Sequence, residues 1–382
     1  MNKQISFKHL VPVFLSFYIM GFVDLVGVAT GYVKQDFNLS DSVAQLLPSM
    51  VFIWFALVSI PTGLFQDRKG KRKTVVLSMV ITAIGLIVPF IYYSYATAVI
   101  GFIILGIGNT VIQVSANPLL IDISSKESKA ANLSLSQFIK ATASMLGPII
   151  TAGLARYTGN WKLIFPIYAL VSVLAAFWLI SVKVEESKPE KEPATFKSVL
   201  QLFKIKYILV MILSVFFMVG FDVGINSNIA NFLSTRFAID LDTASIGISV
   251  YFASLMTGRF AGAFLLRKLN IIRFLVVSTL ITLLGLAGVI ALNNLTIAWI
   301  MIFVTGLGFS NIFPIIFTIA IENRPKYSNE ISGMIIVAVC GGAVIPPIMG
   351  LISDSFGVTQ SLFVLVACIL YVGYSAYYAT KN

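Results

Sequence analysis

Twelve stretches of apolar residues, each about as long as a lipid bilayer is thick, recur along this chain. A helix that crosses a membrane needs roughly 20 mostly apolar residues, because its backbone rises about 1.5 Å per residue. Hydrophobic residues make up 58% of the 382 positions and charged residues only 11%, against roughly 25% charged residues in a soluble domain. We therefore predict an all-α integral membrane protein whose solvent is largely the lipid bilayer. The predicted transmembrane helices lie at about 8–33, 42–66, 73–93, 96–122, 131–156, 162–182, 206–233, 243–266, 272–292, 296–321, 330–354 and 359–379.

Short motifs recur at an offset of about 199 residues, which indicates an internal duplication. For example, GFVD at 21–24 returns as GFD at 220–222. A polar, proline-bearing segment separates the copies, and its second part is spaced like an interfacial amphipathic helix. We predict two pseudo-symmetric six-helix bundles, 1–182 and 207–382, joined by a cytoplasmic linker at 183–206. Parallel repeats of this kind place a binding cavity between the bundles, near the bilayer midplane.

Lysine and arginine fix the expected orientation. Of the 27 basic residues, 21 fall on the side of the amino terminus, four on the opposite side, and Lys140 and Arg259 inside helices. Cytoplasmic loops carry the excess of positive charge, so both termini are predicted to be cytoplasmic in a bacterial-type inner membrane. The net charge of +11 then reflects membrane topology, and no nucleic-acid partner is expected.

The sequence gives little indication of a catalytic site. The single histidine is His9, and the two cysteines, Cys340 and Cys368, lie in apolar segments. No G-x-x-x-x-G-K-[ST] phosphate loop occurs, and neither a nucleophile–base pair nor a set of metal ligands is visible. We therefore predict no catalytic residues, no metal, no cofactor and no enzyme activity.

The loop between the second and third predicted helices carries a family signature. Its sequence, GLFQDRKGKRK at 63–73, matches the G-x-x-x-D-R-x-G-R-K motif of the major facilitator superfamily, which the chain resembles over its whole length. The resemblance implies the major facilitator fold of twelve helices and a cytoplasmic gate in this loop. Asp67 is expected to face a helix amino terminus, where an anion is favoured. Arg68 and Arg72 are expected to lie in water as part of the gate.

A narrower resemblance is to the fucose:proton symporter group, which implies uptake of a sugar together with protons. This sequence differs from that group at three working positions. Val28 stands where the group has an acid, Gln113 where it has a glutamate, and Lys140 where it has a sugar-contacting asparagine. The resemblance rests on SANPLL at 115–120, LSLSQF at 133–138, GRFAG at 258–262, NIFPIIFTIAI at 311–321 and GGAVIPPIMG at 341–350.

Two acids lie deep in predicted membrane helices. A charge in a membrane helix costs at least about 2.5–3.5 kcal/mol on insertion scales, so such residues are functional candidates by default. Asp24 and Asp222 occupy nearly equivalent places in the two repeats. We predict that one of them takes up and releases the coupled proton, with Asp24 as the first candidate and Asp222 as the second. The structural alternative is a permanent ion pair or a hydrogen-bond acceptor.

Two cations also lie inside predicted helices. Lys140 is interpreted as the counter-ion of Asp24, or else as a contact for a carboxylate on the substrate; a lysine that extends to the membrane surface is the structural alternative. Arg259 is interpreted as a gating residue that pairs with an acid, with substrate contact as the alternative.

Uncharged amides complete the predicted substrate site. They share helix faces in pairs and offer the donors and acceptors that suit a hydroxyl-rich ligand. Hydrogen bonds between membrane helices are the structural alternative for each of them. With Lys140, the predicted substrate-binding residues are Gln113, Asn117, Gln137, Asn226 and Asn311.

These observations predict a monomeric, proton-coupled sugar importer that works by alternating access. The first alternative is an importer of an anionic sugar, such as a uronic or sialic acid, with Lys140 as the carboxylate contact. A facilitator or exporter of small molecules without proton coupling is a further alternative, and a sensor on the same scaffold is a third.

Overall fold

The chain is helical in this computed structural model, which describes residues 7–124, 129–182, 186, 202, 204–266, 269–324 and 327–381. Within these ranges no strand occurs. Two 3-10 turns accompany the α-helices, at Gly21–Asp24 and Trp161–Leu163. The α-helices are Phe7–Met20, Leu25–Asp36, Asp41–Ala44, Leu46–Lys69, Lys71–Ile91, Tyr95–Asp122, Lys129–Thr158, Ile164–Ser181, Lys206–Phe237, Leu241–Leu265, Ile271–Ala291, Leu295–Phe309, Ile312–Asn323, Ser328–Ala338, Gly341–Phe356 and Val358–Lys381.

Taken in order, these helices form twelve spans in the described part of the chain, as the apolar segments predict. Several spans consist of two helices joined by a short break. We number them span 1 (7–36), span 2 (41–69), span 3 (71–91), span 4 (95–122), span 5 (129–158), span 6 (161–181), span 7 (206–237), span 8 (241–265), span 9 (271–291), span 10 (295–323), span 11 (328–356) and span 12 (358–381).

Eleven of the spans are long and apolar enough to cross a membrane. Span 8, with 25 residues, is also long enough to cross a membrane. It carries Ser249, Ser254 and Arg259 among its polar residues. A span of this kind is expected where one face borders protein or water rather than lipid.

Equivalent glycines bring equivalent spans into close contact in the two halves. A Cβ on Gly108 of span 4 would lie 2.9 Å from the backbone nitrogen of Thr82 in span 3. Two hundred positions later, a Cβ on Gly308 of span 10 would lie 2.6 Å from the backbone nitrogen of Thr282 in span 9. Small residues allow membrane helices to approach closely in this way. The predicted pseudo-symmetric arrangement of two helical bundles is confirmed.

The two halves meet chiefly along three pairs of spans, 1 with 7, 2 with 11, and 5 with 8, and span 1 also contacts span 8. Near the middle of this contact, Gly27 faces Asn226, and a Cβ on Gly27 would overlap the side-chain amide. Ser249 of span 8 donates a 2.9 Å hydrogen bond to the carbonyl of Met145 in span 5. The two halves therefore contact each other directly near the middle of these spans.

Most of the predicted linker, 183–206, falls outside the described residues, and so does most of its predicted amphipathic segment. Of this stretch the structure describes Glu186, Leu202 and 204–206. Leu202 is buried, with 2% of its surface exposed. The domain boundaries at 182 and 207 stay a prediction.

Candidate functional site

Span 1 is broken at the point where it carries its acid. The α-helix stops at Met20, and Gly21–Asp24 forms a 3-10 turn before the α-helix resumes at Leu25. Turns of this type inside a longer helix often mark functional positions. Gly21 lets span 1 approach span 5 closely, because a Cβ there would lie 2.6 Å from the carbonyl oxygen of Lys140.

The close approach of spans 1 and 5 gives Asp24 a hydrogen-bond donor. The hydroxyl of Ser144 lies 2.5 Å from the Asp24 carboxylate, and the same hydroxyl lies 3.1 Å from the carbonyl oxygen of Lys140. Ser144 and Lys140 are four residues apart and therefore share one face of span 5. Sequence reasoning missed Ser144, although its spacing from Lys140 was visible.

The four ionisable residues singled out from the sequence form one electrostatic cluster. Asp24 interacts with Lys140 and Arg259, and Asp222 interacts with Asp24, Lys140 and Arg259. All four are partly exposed. The cluster draws one acid and one cation from each half of the molecule.

No ion pair within 4.0 Å joins any two of these four described side chains. The Asp24 carboxylate is hydrogen-bonded to Ser144 instead, while Lys140 interacts with it at longer range. The role of Lys140 as counter-ion of Asp24 stays a prediction: the two charges interact at longer range without a direct contact.

Asp222 has a different partner from Asp24, although the two acids are nearly equivalent in the repeats. The hydroxyl of Tyr251, which is fully buried in span 8, donates a 2.8 Å hydrogen bond to the Asp222 carboxylate. Phe309 packs beside the tyrosine ring, with 6.3 Å between centroids. The rigid, buried hydroxyl of Tyr251 therefore holds Asp222 within the second half. The smaller side chain of Ser144 holds Asp24 within the first half.

A chain of amides connects span 4 to the break in span 1. Gln113 donates a 2.9 Å hydrogen bond to the side-chain oxygen of Asn109, and Asn109 donates a 2.8 Å hydrogen bond to the carbonyl of Met20. Gln113 is partly exposed, as are Asn117 and Gln137. The role of these three side chains in substrate binding stays a prediction.

Asn226 and Asn311 are both buried in the packing between spans. Asn226, with 3% exposure, donates a 3.2 Å hydrogen bond to the carbonyl of Asp24, and its side-chain oxygen lacks a hydrogen-bond partner among the described residues. Asn311 donates a 2.7 Å hydrogen bond to the carbonyl of Gly258. Their predicted contact with substrate stays untested, and in this conformation both amides join helices.

Arg259 lies beside the break in span 10. Its side chain donates a long hydrogen bond of 3.5 Å to the carbonyl of Ser310, which sits between the two helices of that span. An irregular backbone is tolerated at membrane depth where it borders protein or a cavity. The predicted gating role of Arg259 stays a prediction.

The loop between spans 2 and 3 uses a different acid from the one expected. Gly70 turns the chain with φ 93°, and the Glu186 carboxylate accepts hydrogen bonds from the backbone N–H groups of Lys71 (2.5 Å) and Arg72 (3.0 Å). The anion at this helix amino terminus is therefore Glu186, while Asp67 is exposed. The contact between Glu186 of the linker and this loop could not be predicted from sequence alone.

The basic residues of this loop bond within the first half. Arg72 donates to the carbonyl of Leu179 at 3.0 Å and to that of Ile180. Lys71 forms a 2.6 Å ion pair with Asp122. Arg68 is exposed. The predicted gating roles of Asp67, Arg68 and Arg72 stay predictions.

Hydrogen bonds between the halves concentrate at the opposite end of the molecule. This end contains residues 34–49, 226–242 and 343–354, and it is called the closed end below. Tyr32 donates a 2.7 Å hydrogen bond to Asp242, and Gln45 donates a 3.0 Å bond to Asn228. Sequence reasoning missed these contacts, because polar residues near span ends look like ordinary helix caps.

Comparison with known proteins gives a matching family model and a similar transporter. A family model described as Major Facilitator Superfamily matches residues 13–345. A glucose/galactose transporter of Brucella abortus is 24% identical over 387 residues, which cover 96% of this chain and 93% of the relative. The family and this relative are transporters and not enzymes.

Two solved structures share the fold. A bacterial homolog of the human lysosomal transporter Spinster, in an inward-facing and unoccupied conformation, superposes with a TM-score of 0.79 at 17% identity, covering 100% of this chain and 98% of its own. The fucose:proton symporter of E. coli superposes with a TM-score of 0.69 at 16% identity, covering 98% of each chain.

Proposed function

Because the chain belongs to the Major Facilitator Superfamily, we propose that this multi-pass membrane transporter imports a sugar or sugar derivative together with protons. The observation that carries the proposal is the cluster of Asp24, Lys140, Asp222 and Arg259, to which each half contributes one acid and one cation. A site built from both halves can respond to their relative movement, which is the basis of alternating access. The membrane is the bacterial inner membrane, with both termini in the cytoplasm.

The charge balance of the cluster provides a coupling mechanism. With both carboxylates ionised, two negative and two positive charges balance. A proton on Asp24 removes one negative charge, so Lys140 loses the interaction that draws it towards span 1. Its ammonium group is then available to donate hydrogen bonds to the hydroxyls of a bound sugar. Loss of the proton on the cytoplasmic side restores the original balance and favours release of the sugar.

Asp24 is the better proton carrier of the two acids. The hydroxyl of Ser144 can donate to an ionised carboxylate or accept from a protonated one, so Asp24 keeps its partner in both states. Asp222 accepts from the fully buried hydroxyl of Tyr251, and a phenol is a stronger donor than an aliphatic hydroxyl, so this hydrogen bond favours the ionised carboxylate. Asp222 then supplies a constant negative charge opposite the cations.

A neutral sugar is the substrate best supported by the amides and by the relatives. Gln113, Asn117 and Gln137 are partly exposed, and carboxamides pair well with sugar hydroxyls. A relative bearing the name of a glucose/galactose transporter and a structural neighbour that is a fucose:proton symporter support hexoses.

An anionic sugar is a second candidate, favoured by one observation. Lys140 is partly exposed and makes no ion pair within 4.0 Å among the described residues. An ammonium group without a direct counter-ion can bind the carboxylate of a uronic or sialic acid. In that case the substrate itself would supply the fifth charge of the cluster.

The test is uphill uptake by the purified protein in proteoliposomes. An imposed pH gradient, acid outside, should drive accumulation of labelled glucose, galactose or fucose above the external concentration. Counterflow with a panel of neutral, amino and acidic sugars would identify the substrate class. Uptake that only equilibrates and ignores the pH gradient would contradict proton coupling, and absence of counterflow with every sugar would contradict a sugar substrate.

A further inference from the structure

An aspartate at the start of span 2 is the centre of a polar network at the closed end. One oxygen of Asp41 accepts from the Lys34 ammonium at 2.5 Å and from the Asn231 amide at 2.9 Å. The other oxygen accepts from the Ser353 hydroxyl at 2.5 Å. Lys34 and Asp41 belong to the first half of the molecule, and Asn231 and Ser353 belong to the second.

A second aspartate completes the network from the opposite direction. The carboxylate of Asp354, in span 11, accepts hydrogen bonds from the backbone N–H groups of Asp41 (2.7 Å) and Ser42 (3.0 Å). These N–H groups belong to the first turn of span 2, where unpaired donors and the helix dipole favour an anion. Gly350 makes the approach possible, since a Cβ there would lie 2.7 Å from the Cα of Ser42.

These five residues, Lys34, Asp41, Asn231, Ser353 and Asp354, are called the Asp41 network. Five of its hydrogen bonds cross between the halves: one from Lys34 to Asn231, two from Asn231 and Ser353 to Asp41, and two from span 2 to Asp354. The Lys34–Asp41 ion pair lies within the first half. Separation of the halves at this end would therefore break the five crossing bonds and leave the ion pair in place.

The pseudo-symmetric contact between spans 5 and 8 is built differently. Asp240, at the start of span 8, accepts from the backbone N–H (2.7 Å) and the hydroxyl (2.8 Å) of Thr243 in its own helix. These bonds, together with the positive charge of Arg156 from span 5, hold the pKa of Asp240 below its usual range. Asp240 and Arg156 therefore interact across the halves by charge, while Tyr32 donates a hydrogen bond to Asp242 beside them and Ser249 donates to Met145 further along span 8. The Asp41 network supplies more of the crossing hydrogen bonds than the start of span 8 does.

We propose that the Asp41 network is the latch of the closed end, and that Asp354 and Ser353 set how often this end opens. The latch holds spans 2 and 11 together while the other end of the molecule gives access to the cytoplasm. Its opening admits substrate from the outside. The inference rests on the proposed alternating-access transport, but not on the identity of the sugar or on proton coupling.

The test measures opening directly, in detergent and without substrate or gradient. Ser227 lies one turn from Asn231, is 3% exposed, and its carbonyl accepts from Gln45 at the closed end. A Ser227→Cys reporter in a background of Cys340→Ser and Cys368→Ser reacts with a maleimide only when this end opens. The background without the reporter gives the unspecific rate.

Asp354→Ala should raise the labelling rate of the reporter by about tenfold or more, as loss of charge-assisted hydrogen bonds shifts the equilibrium towards the open state. Ser353→Ala, a smaller change, should raise it less but measurably. Asp36→Asn is the matched control, because Asp36 lies at the same end but bonds to Tyr93 and Trp161 within its own half.

Labelling rates unchanged in both Asp354→Ala and Ser353→Ala would overturn the proposal. If Asp354→Ala does not fold, as judged by gel filtration and thermal unfolding, Ser353→Ala decides alone. A rate that rises equally in Asp36→Asn would also overturn it, because general loosening of this end would then explain the result. Failure of sugar uptake with a normal response of the reporter would instead count against the proposed function.

Discussion

The hydroxyl of Ser144 lies 2.5 Å from the carboxylate of Asp24 and joins span 5 to the broken turn of span 1. A hydroxyl can act as donor or acceptor, so this contact survives a change in the protonation of Asp24. Lys140, one turn away on the same face of span 5, instead responds to that change only through its charge. The predictions on coupling follow from this division between a constant hydrogen bond and a variable electrostatic interaction.

Asp24→Asn should abolish accumulation against a gradient, because the amide cannot take up and release a proton. Counterflow, which exchanges labelled for unlabelled substrate, should continue. Both are measured in proteoliposomes with and without an acid-outside gradient. Asp24→Glu is the control, since it keeps a titratable carboxyl, and should retain some accumulation. Normal uphill transport by Asp24→Asn would rule out Asp24 as the proton carrier.

Lys140→Gln and Asp24→Asn should be strongly non-additive. Each single change leaves one charge of the cluster unbalanced, whereas the double change restores neutrality. Interacting pairs typically show coupling of about 0.5–3 kcal/mol. The Tm of the purified variants, measured without substrate, should be higher in the double variant than in either single one. Purely additive losses would indicate that the two charges act separately.

Lys140→Gln also separates the two substrate classes. If Lys140 binds a carboxylate, the variant should lose affinity for acidic sugars by about tenfold, or about 1.4 kcal/mol, and keep its affinity for neutral ones. Competition of labelled uptake by glucose, galactose and glucuronate gives both values. An unchanged order of competitors would remove the anionic sugar from consideration.

Gly27→Ala should destabilise the contact between the halves, because its Cβ would overlap the Asn226 amide. Overpacking of this kind typically costs about 1–3 kcal/mol, and thermal unfolding in detergent should show it as a lowered Tm. Gly153→Ala is the matched control, as a Cβ there meets nothing within 4 Å. The double variant Gly27→Ala with Asn226→Ala should recover most of the loss; no recovery would contradict the assigned clash.

Glu186→Gln should loosen the start of span 3, where the carboxylate accepts from the N–H groups of Lys71 and Arg72. An anion at a helix amino terminus contributes about 0.3–1 kcal/mol. Hydrogen exchange of the first turn should become faster by a few fold. Asp67→Asn should leave this exchange unchanged, and the opposite result would restore Asp67 as the capping acid.

The membrane fold and the duplication could be read from the sequence, because both depend on patterns within one chain segment. Apolar runs of sufficient length predict spans, and Gly108 and Gly308 mark equivalent contacts in the two halves. The depth of Asp24 and Lys140 along their helices was also predictable from their distance to the span ends. These properties require no knowledge of how neighbouring helices are rotated.

The partners of those charges could not be predicted, since helix rotation and tilt are not fixed by hydropathy. Asp24 and Asp222 are near-equivalent in sequence, yet one meets Ser144 and the other Tyr251. The Asp41 network was missed for a related reason. Asp41 and Asp354 lie 313 positions apart, and each looks like an ordinary polar residue at the end of a membrane helix.

The broken turn of span 1 accepts hydrogen bonds from both halves of the molecule. Asn109 of the first half holds the carbonyl of Met20, and Asn226 of the second half holds the carbonyl of Asp24. Because the two donors belong to different halves, a relative movement of the halves cannot leave both hydrogen bonds of this turn unchanged. In the proposed transport cycle, the backbone that carries Asp24 would therefore change its hydrogen bonds as the two halves move.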